Sequence, residues 1–269
     1  MIDLHCHMLP AIDDGPTSLE GSLAMAKMAV ADGIRTTFCT PHIYPGLYEN
    51  NADDIKRRVA NLQLILNDKG IALTLNFGAD VHLVPEINAG IESGRIPLLG
   101  GSRYLLLEPS HHVRPPRFTE SVFRLISDGI TPIITHPERL SWYGQHTADF
   151  LAIARSGAWL QITSGALLGN FGPAAKRFSE QLIGDGWCDV IASDGHTTGR
   201  RAPIISEARR RAAELVGELE ATAMVETRPS LVLNNLPITG EARPPAHQSR
   251  ASSGNLRAII GKLFGRSAT

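Results

Sequence analysis

Five of the ten histidines in this 269-residue sequence fall at the ends of short β-prone runs: His5, His7, His42, His136 and His196. Four carboxylates do the same: Asp14, Asp80, Glu108 and Asp194. His5 and His7 stand two apart. On a strand such residues project to one face, so both imidazoles can reach one cation while Cys6 turns away and packs. Asp13-Asp14-Gly15 follows in the next loop, and Thr40-Pro41-His42 closes the second run. Thr135-His136-Pro137-Glu138-Arg139 sets a ligand type and a guanidinium three residues apart, and Ser193-Asp194-Gly195-His196 again spaces two donors by two. Singly these are weak signals, since His-x-His also suits a half-exposed strand and Asp-Gly an ordinary turn. Packing does not explain their recurrence, because burying so many ionisable groups without a compensating charge is costly.

Divalent cations are the natural compensation. All nine donors are nitrogen or oxygen, which favours manganese, iron, zinc or magnesium over thiolate-bound ions. Nine donors exceed the needs of one tetrahedral or octahedral ion, so two or three ions are expected. Such a cluster suits phosphate-ester hydrolysis, where cations generate the nucleophile from water and neutralise phosphoryl charge. Rival chemistries lack their parts. A cysteine-dependent phosphatase needs Cys-x5-Arg, yet Ile12, Pro45 and Asp194 stand six residues after Cys6, Cys39 and Cys188. There is no Gly-x-Ser-x-Gly elbow, Walker A loop or His-Glu-x-x-His.

The elements that must position these donors alternate. Strands are expected near 1–5, 34–39, 72–78, 103–108, 131–135, 158–162 and 188–193, and helices near 18–32, 51–69, 117–128, 146–155 and 173–184, with Arg-rich helical sequence from about 203. Alternation of this kind implies a parallel sheet. Periodicity leaves both a doubly wound sheet and a closed barrel open; in a barrel the strand C-termini would converge on one face. Thr17 or Ser18 can cap the first helix, with Glu20 as capping-box partner of Thr17. Asp32-Gly33 and Asp128-Gly129 end helices as left-handed caps do.

Composition is that of a globular protein, with 43% hydrophobic and 20% charged residues. A net charge of −1 argues against nucleic acid as a partner. Three scattered cysteines read as reduced thiols of a cytoplasmic protein. The N-terminus has no signal-peptide pattern, and no apolar run approaches the roughly 20 residues of a spanning helix. Residues 240–255, rich in Gly, Pro and Ser, read as a disordered linker after a catalytic domain over 1–239. In the tail, 256–269, Leu256, Ile259, Ile260, Leu263 and Phe264 share one helical face beside Arg257, Lys262 and Arg266. It either folds back on the domain, or stays disordered, or makes a weak contact through 256–266 with an anionic membrane surface or a protein partner.

Together, Asp-Leu-His-Cys-His (3–7), Asp-Asp-Gly-Pro (13–16), Thr-Pro-His (40–42), Gly-Ala-Asp (78–80), Leu-Leu-Glu (106–108), Thr-His-Pro-Glu-Arg (135–139) and Ala-Ser-Asp-Gly-His (192–196) resemble the PHP (polymerase and histidinol phosphatase) superfamily. The Asp-Asp-Gly-Pro loop, Ser-Arg-Tyr at 102–104 and His-x-Glu-Arg at 136–139 resemble its CpsB/CapC/YwqE branch, the bacterial protein tyrosine phosphatases of capsule and exopolysaccharide systems. The resemblance runs from Met1 to about Leu236. It implies a distorted (β/α)7 TIM-like barrel with a trinuclear, usually manganese-supported centre. It implies His5, His7 and Asp194 on one metal, residue 80 bridging two, Glu108 and His136 on the second, and Asp14, His42 and His196 on the third. Arg139 and Arg201 would meet the phosphate, with His42 beside the reacting group. The implied substrate is the phosphotyrosine tail of a membrane-anchored autokinase; a small-molecule phosphatase of the histidinol-phosphatase kind is the alternative, and a metal-free adaptor a third reading. Two positions depart from the pattern: Asp80 stands where the relatives have Glu, and Gly-Arg-Arg-Ala-Pro (199–203) replaces Gly-Arg-Pro-Pro, leaving Arg200 and Arg201 both eligible.

Overall fold

A computed structural model of the chain describes residues 1–239 and 244–246. Its strands are β1 (Ile2–Cys6), β2 (Thr36–Cys39), β3 (His42–Ile43), β4 (Thr74–Phe77), β5 (Asp80–His82), β6 (Tyr104–Glu108), β7 (Thr131–Thr135), β8 (Trp159–Thr163) and β9 (Val190–Ala192). All named strand pairs are parallel, in the orders β1-β2-β4 and β3-β5-β6-β7-β8-β9. The protein is thus an α/β fold built on parallel sheets.

Two of the expected strands are each followed by a further short strand. The run at 34–39 forms β2 and resumes as β3 beyond Thr40-Pro41, where proline has no N–H for the ladder. The run at 72–78 forms β4 and resumes as β5 beyond Gly78, which sits so close to Leu99 that an added Cβ would lie 2.5 Å from Leu99 Cδ2. Beyond β9 the chain returns to β1: Asp194 N donates to His5 O (2.8 Å) and His7 N to Gly195 O (2.8 Å).

The strands separate two apolar clusters. The larger, outer one packs helices on strands and holds Cys6, Cys39 and Cys188. The inner one joins Leu4, Phe38, Tyr104, Leu106, Ile133, Trp159 and Val190 from six different strands, with Val232 from the C-terminal helix. Alternation on β6 explains the division: Tyr104 and Leu106 face inward, Leu105 and Leu107 outward, so Glu108 follows on the inner side. The inner residues make an apolar floor beneath the polar strand ends.

The helices are α1 (Leu19–Ala31), α2 (Ala52–Asp68), α3 (Ile87–Glu92), α4 (Phe118–Ser127), α5 (Thr147–Arg155), α6 (Ser164–Leu167), α7 (Pro173–Gly184), α8 (Ser206–Val216), α9 (Glu218–Thr222) and, after a π-type turn over Ala223–Thr227, α10 (Arg228–Leu233). Sequence signals located the longer helices but not the short α3 and α6. Ser18 caps α1 by accepting from Gly21 N, which makes Glu20 the second helical residue; the expected capping box with Thr17 is not formed. Gly33 and Gly129 take positive φ of 89° and 82°, as the two Asp-Gly stops require.

No helix among the described residues is long and apolar enough to cross a membrane. The tail at 256–269 lies outside the described residues. Of the expected linker only 244–246 is described, and there Ala246 N donates to Gly186 O at 3.2 Å, so this piece touches the folded body.

Candidate metal centre

The nine donors converge where the strands end. The β1–β2 register slips between Asp3 and Cys6, and a slip of this kind re-aims side chains: Leu4 packs in the inner cluster, yet the neighbouring His5 also faces inward. His5 Nδ1 meets Gln161 Oε1 (2.8 Å) on β8, and His7 Nδ1 meets Asp13 Oδ2 (2.7 Å). A carbonyl or carboxylate oxygen accepts only, so each Nδ1 carries a hydrogen, and in the neutral ring that a cation would bind Nε2 keeps the lone pair. These two Nε2 atoms lie 3.1 Å apart. His196 is turned in the same way, its Nδ1 lying 2.9 Å from Asp194 O.

The carboxylates interleave with the rings. Asp194 Oδ1 lies 3.3 Å from His5 Nε2 and 3.5 Å from His7 Nε2. His42 and Asp80 are paired in register on β3 and β5. Asp80 Oδ2 stands 3.4 Å from His5 Nε2 and 3.5 Å from His42 Nδ1. Glu108 places Oε2 3.5 Å from His42 Nδ1 and Oε1 3.6 Å from His136 Nε2. Asp14 Oδ1 reaches His42 Nε2 (3.5 Å) and His196 Nε2 (3.1 Å).

These spacings test whether cations fit. Donors about 2.1 Å from a shared ion are about 3.0 Å apart along an octahedral edge and about 3.4 Å along a tetrahedral one. The observed separations span that range. The unsatisfied atoms agree: among the described residues, both Asp80 oxygens, His42 Nδ1 and His196 Nε2 are buried without a well-formed hydrogen bond. Four donor groups result: His7, Asp14, His42 and His196; His5, His7 and Asp80; Glu108, His111 and His136; and His42, Asp80 and Glu108. His7, His42, Asp80 and Glu108 each belong to two groups.

Backbone strain marks the same place. His136 and Asp194, at the ends of β7 and β9, take φ of 35° and 50°, which non-glycine residues seldom adopt and which costs of order 1–3 kcal/mol. Asp3 braces the second turn: its carboxylate accepts from Ser193 N (3.0 Å) and from Ser193 Oγ.

Electrostatics follow from burying this many charges together. Burial opposes charge on His5 and His7, but Asp80 and Asp194 raise the first, and Asp13 lifts the second to about 10. Burial also opposes ionised Asp194, Asp14 and Glu108; the surrounding imidazoles, with Arg139 and Arg201 beside Asp194, still hold all three below the ordinary carboxylate range. Burial, then Arg139, keeps His136 well below its ordinary value, while burial, then His7, brings His196 to about 4.

Both candidate phosphate arginines reach the site. Arg139 Nη1 donates to Asp194 Oδ2 while its guanidinium stacks 4.3 Å from the Phe171 ring centre. Arg201 Nη2 donates to the same oxygen at 2.9 Å. They line one cavity of about 340 Å³ with Asp14, His42, Glu108 and His136. Arg200 turns away to donate to Asn170 O, so Arg201 is the one directed at the centre.

Several site residues escaped the sequence reading. Asp13, named in the loop only as the neighbour of the candidate donor Asp14, orients His7 and accepts from His42 N (3.1 Å). Gln161 lies on the strand expected near 158–162 and meets His5. His111 Nε2 is 3.0 Å from Glu108 Oε1, nearer than His136. The pair of inward positions on β8, Trp159 and Gln161, was the available signal for Gln161; for His111, a loop position, there was none.

The fold and the donor cluster together define a class, that of α/β proteins with a cluster of candidate metal ligands at the strand ends. The chain belongs to the family described as "Capsular polysaccharide synthesis, CpsB/CapC", whose model matches residues 1–234. It is 36% identical over 203 residues to the tyrosine-protein phosphatase YwqE of Bacillus subtilis (strain 168), covering 75% of this chain and 79% of that one. It is 32% identical over 209 residues to the putative tyrosine-protein phosphatase CapC of Staphylococcus aureus, covering 77% and 81%. Among solved structures it matches one from the study of YwqE of Bacillus subtilis and CpsB of Streptococcus pneumoniae, described as unique metal-dependent tyrosine phosphatases. The TM-score is 0.86 at 31% identity, over 91% of this chain and 99% of that one. A histidinol phosphate phosphatase of Lactococcus lactis, at 13% identity and TM-score 0.53 over 82% and 93% of the chains, shares the fold alone.

Proposed function

We propose that the chain is a metal-dependent protein tyrosine phosphatase whose parallel strands close as a distorted (β/α)7 barrel of the PHP type. The observation that carries this reading is Asp80, a fully buried carboxylate with no well-formed hydrogen bond at either oxygen, set between His5 and His42. Burying a carboxylate without hydrogen-bond donors is costly, and shared cations offset that cost. His5, His7 and Asp194 would hold one ion, Glu108 and His136 a second, and Asp14, His42 and His196 a third, with Asp80 shared. The all-nitrogen-and-oxygen donor set suits manganese first, with iron, zinc and magnesium as alternatives. Bound, the ions would activate water and screen phosphoryl charge.

The chain's own residues do the rest. Arg139 and Arg201 converge on Asp194 Oδ2 at the cavity wall, where their remaining N–H groups can take phosphoryl oxygens. Phe171 beneath Arg139 fixes that guanidinium in the plane it needs. His42 stands at the junction of two donor groups, at the edge of the reacting centre. The leaving phenolate has a pKa near 10, so departure demands less of a general acid than a serine alkoxide would. Membership of a capsule-synthesis family supports the tyrosine-phosphorylated tail of a membrane-anchored kinase as substrate, met in the cytoplasm.

The test is a panel of a phosphotyrosine peptide, the matching phosphoserine peptide and histidinol phosphate, each assayed with manganese, iron, zinc and magnesium. The expected result is a clear preference for phosphotyrosine. Preference for histidinol phosphate would assign the site to small molecules instead.

A further inference from the structure

The floor of the metal-site cavity is ionic, but one wall is apolar. It is formed by the turn at residues 44–48, whose Tyr44, Leu47 and Tyr48 all line the cavity. The turn is closed by Tyr44 N to Tyr48 O (3.0 Å), Tyr48 N to Tyr44 O (2.8 Å) and Leu47 N to Tyr44 O (3.0 Å). Asn50 pins its base, donating to His42 O (2.8 Å) and Ile12 O (3.1 Å). Each tyrosine is held flat by a histidine: Tyr44 lies over His82 with ring centres 3.9 Å apart and planes 6° apart, and Tyr48 over His42 at 5.6 Å and 12°.

Leu47, in the same turn, is 63% exposed. A single exposed leucine is ordinary, but three large side chains of one turn give an apolar side to a cavity whose other lining residues are polar or charged. A phosphate ion or an alkyl phosphate needs only the floor. An aryl phosphate carries a flat ring directly on its bridging ester oxygen, which brings that ring within reach of this wall.

We infer that the 44–48 turn is the substrate-ring wall, with Leu47 and Tyr48 packing the phenyl ring of phosphotyrosine while the centre holds its phosphate. This rests on the tyrosine-phosphatase reading and supplies the part of it that separates aryl from alkyl esters. Tyr44, stacked on His82, acts as a positioning residue for the turn.

The experiment uses the full chain loaded with manganese and the variants Leu47→Ala, Tyr48→Ala and Tyr48→Phe. Two ratios are read: kcat/KM for phenyl phosphate over that for glycerol 2-phosphate, and affinity for phenylphosphonate over methylphosphonate by titration calorimetry. For both alanine variants each ratio should fall about tenfold, equivalent to about 1.4 kcal/mol, through KM rather than kcat, with metal content unchanged. Tyr48→Phe should keep both ratios. Unaltered ratios in the alanine variants of an enzyme that does hydrolyse phosphotyrosine would overturn the wall and leave the proposed function standing. A wild-type enzyme inactive on every aryl phosphate would overturn both.

Discussion

Arg139 shows how much a single side chain is asked to do at this centre. It shares Asp194 with Arg201 and lies on Phe171, so its charge is fixed over the cavity without sitting among the metal donors. Arg139→Ala should cut turnover of a phosphotyrosine peptide by roughly a hundredfold or more, with metal content by mass spectrometry near wild type; loss of metal would make the residue structural instead. Asp13 acts one step further out. Removing the carboxylate that orients His7 should weaken metal binding by roughly 10–100-fold, which chelator competition on Asp13→Ala would measure, and an unchanged affinity would contradict the orienting role. The cysteines belong to the core: all three are buried, and burial pushes every thiol above its ordinary value. The folded enzyme should keep its activity through prolonged iodoacetamide treatment, and rapid inactivation would point to a thiol nucleophile. The nine candidate donors were legible as a set because their types recur at strand ends, and the fold brings them together. Asp13, Gln161 and His111 were not, because nothing in their local sequence says which imidazole or carboxylate the fold will bring to them.

At the scale of elements, the strand ends and their loops carry the strain. Gly15, between the Asp13–Asp14 pair and α1, lies so close to β1 that an added Cβ would stand 2.4 Å from His7 O. Gly15→Ala should displace the Asp13–Asp14 loop, cost about 1–3 kcal/mol in stability and weaken metal binding at the proposed site of Asp14, His42 and His196; a thermal melt and a metal titration read the two effects separately. The start of β9 holds a second stress. Asp189 accepts from Leu160 N (2.8 Å), and Arg228, paired with Glu220, donates to Asp189 O (3.1 Å). Burial nonetheless pushes the Asp189 carboxyl up to about 7 from 3.8. A folded-state value above the unfolded one means the folded protein binds this proton more tightly, so the group favours folding at low pH and that contribution is lost as pH rises toward about 7. Asp189→Asn should therefore lose less thermal stability than wild type between about pH 5 and about pH 8, and parallel curves for the two proteins would contradict the assignment. Sequence periodicity located seven strands but not β3 and β5, nor the breaks that set them off from β2 and β4. Pro41 and Gly78 create these through a missing N–H and a close approach to Leu99, and the second depends on contacts far along the chain.

For the whole molecule, the family match ends at residue 234, and the segment after α10 is tied to the start of β6 through Tyr104 Oη to Leu236 O (2.6 Å) and Arg103 N to Asn235 Oδ1 (3.0 Å). Hydrolysis should therefore reside in residues 1–239. A chain truncated after Thr239 should hydrolyse a soluble phosphopeptide at near wild-type rate, and its action on a full-length kinase in vesicles shows whether the tail adds docking. The alternating pattern made the parallel α/β class legible from sequence. The return from Asp194 and Gly195 to β1 was not, because it joins segments about 190 residues apart in sequence. The central claim is that buried cations, rather than a thiol or serine nucleophile, carry the chemistry. Its most direct test measures metal content and phosphotyrosine-peptide hydrolysis together during chelator stripping and manganese titration. The account predicts that activity vanishes with the metal and returns as two or three ions per chain are restored. Full activity in protein shown to be metal-free would contradict it.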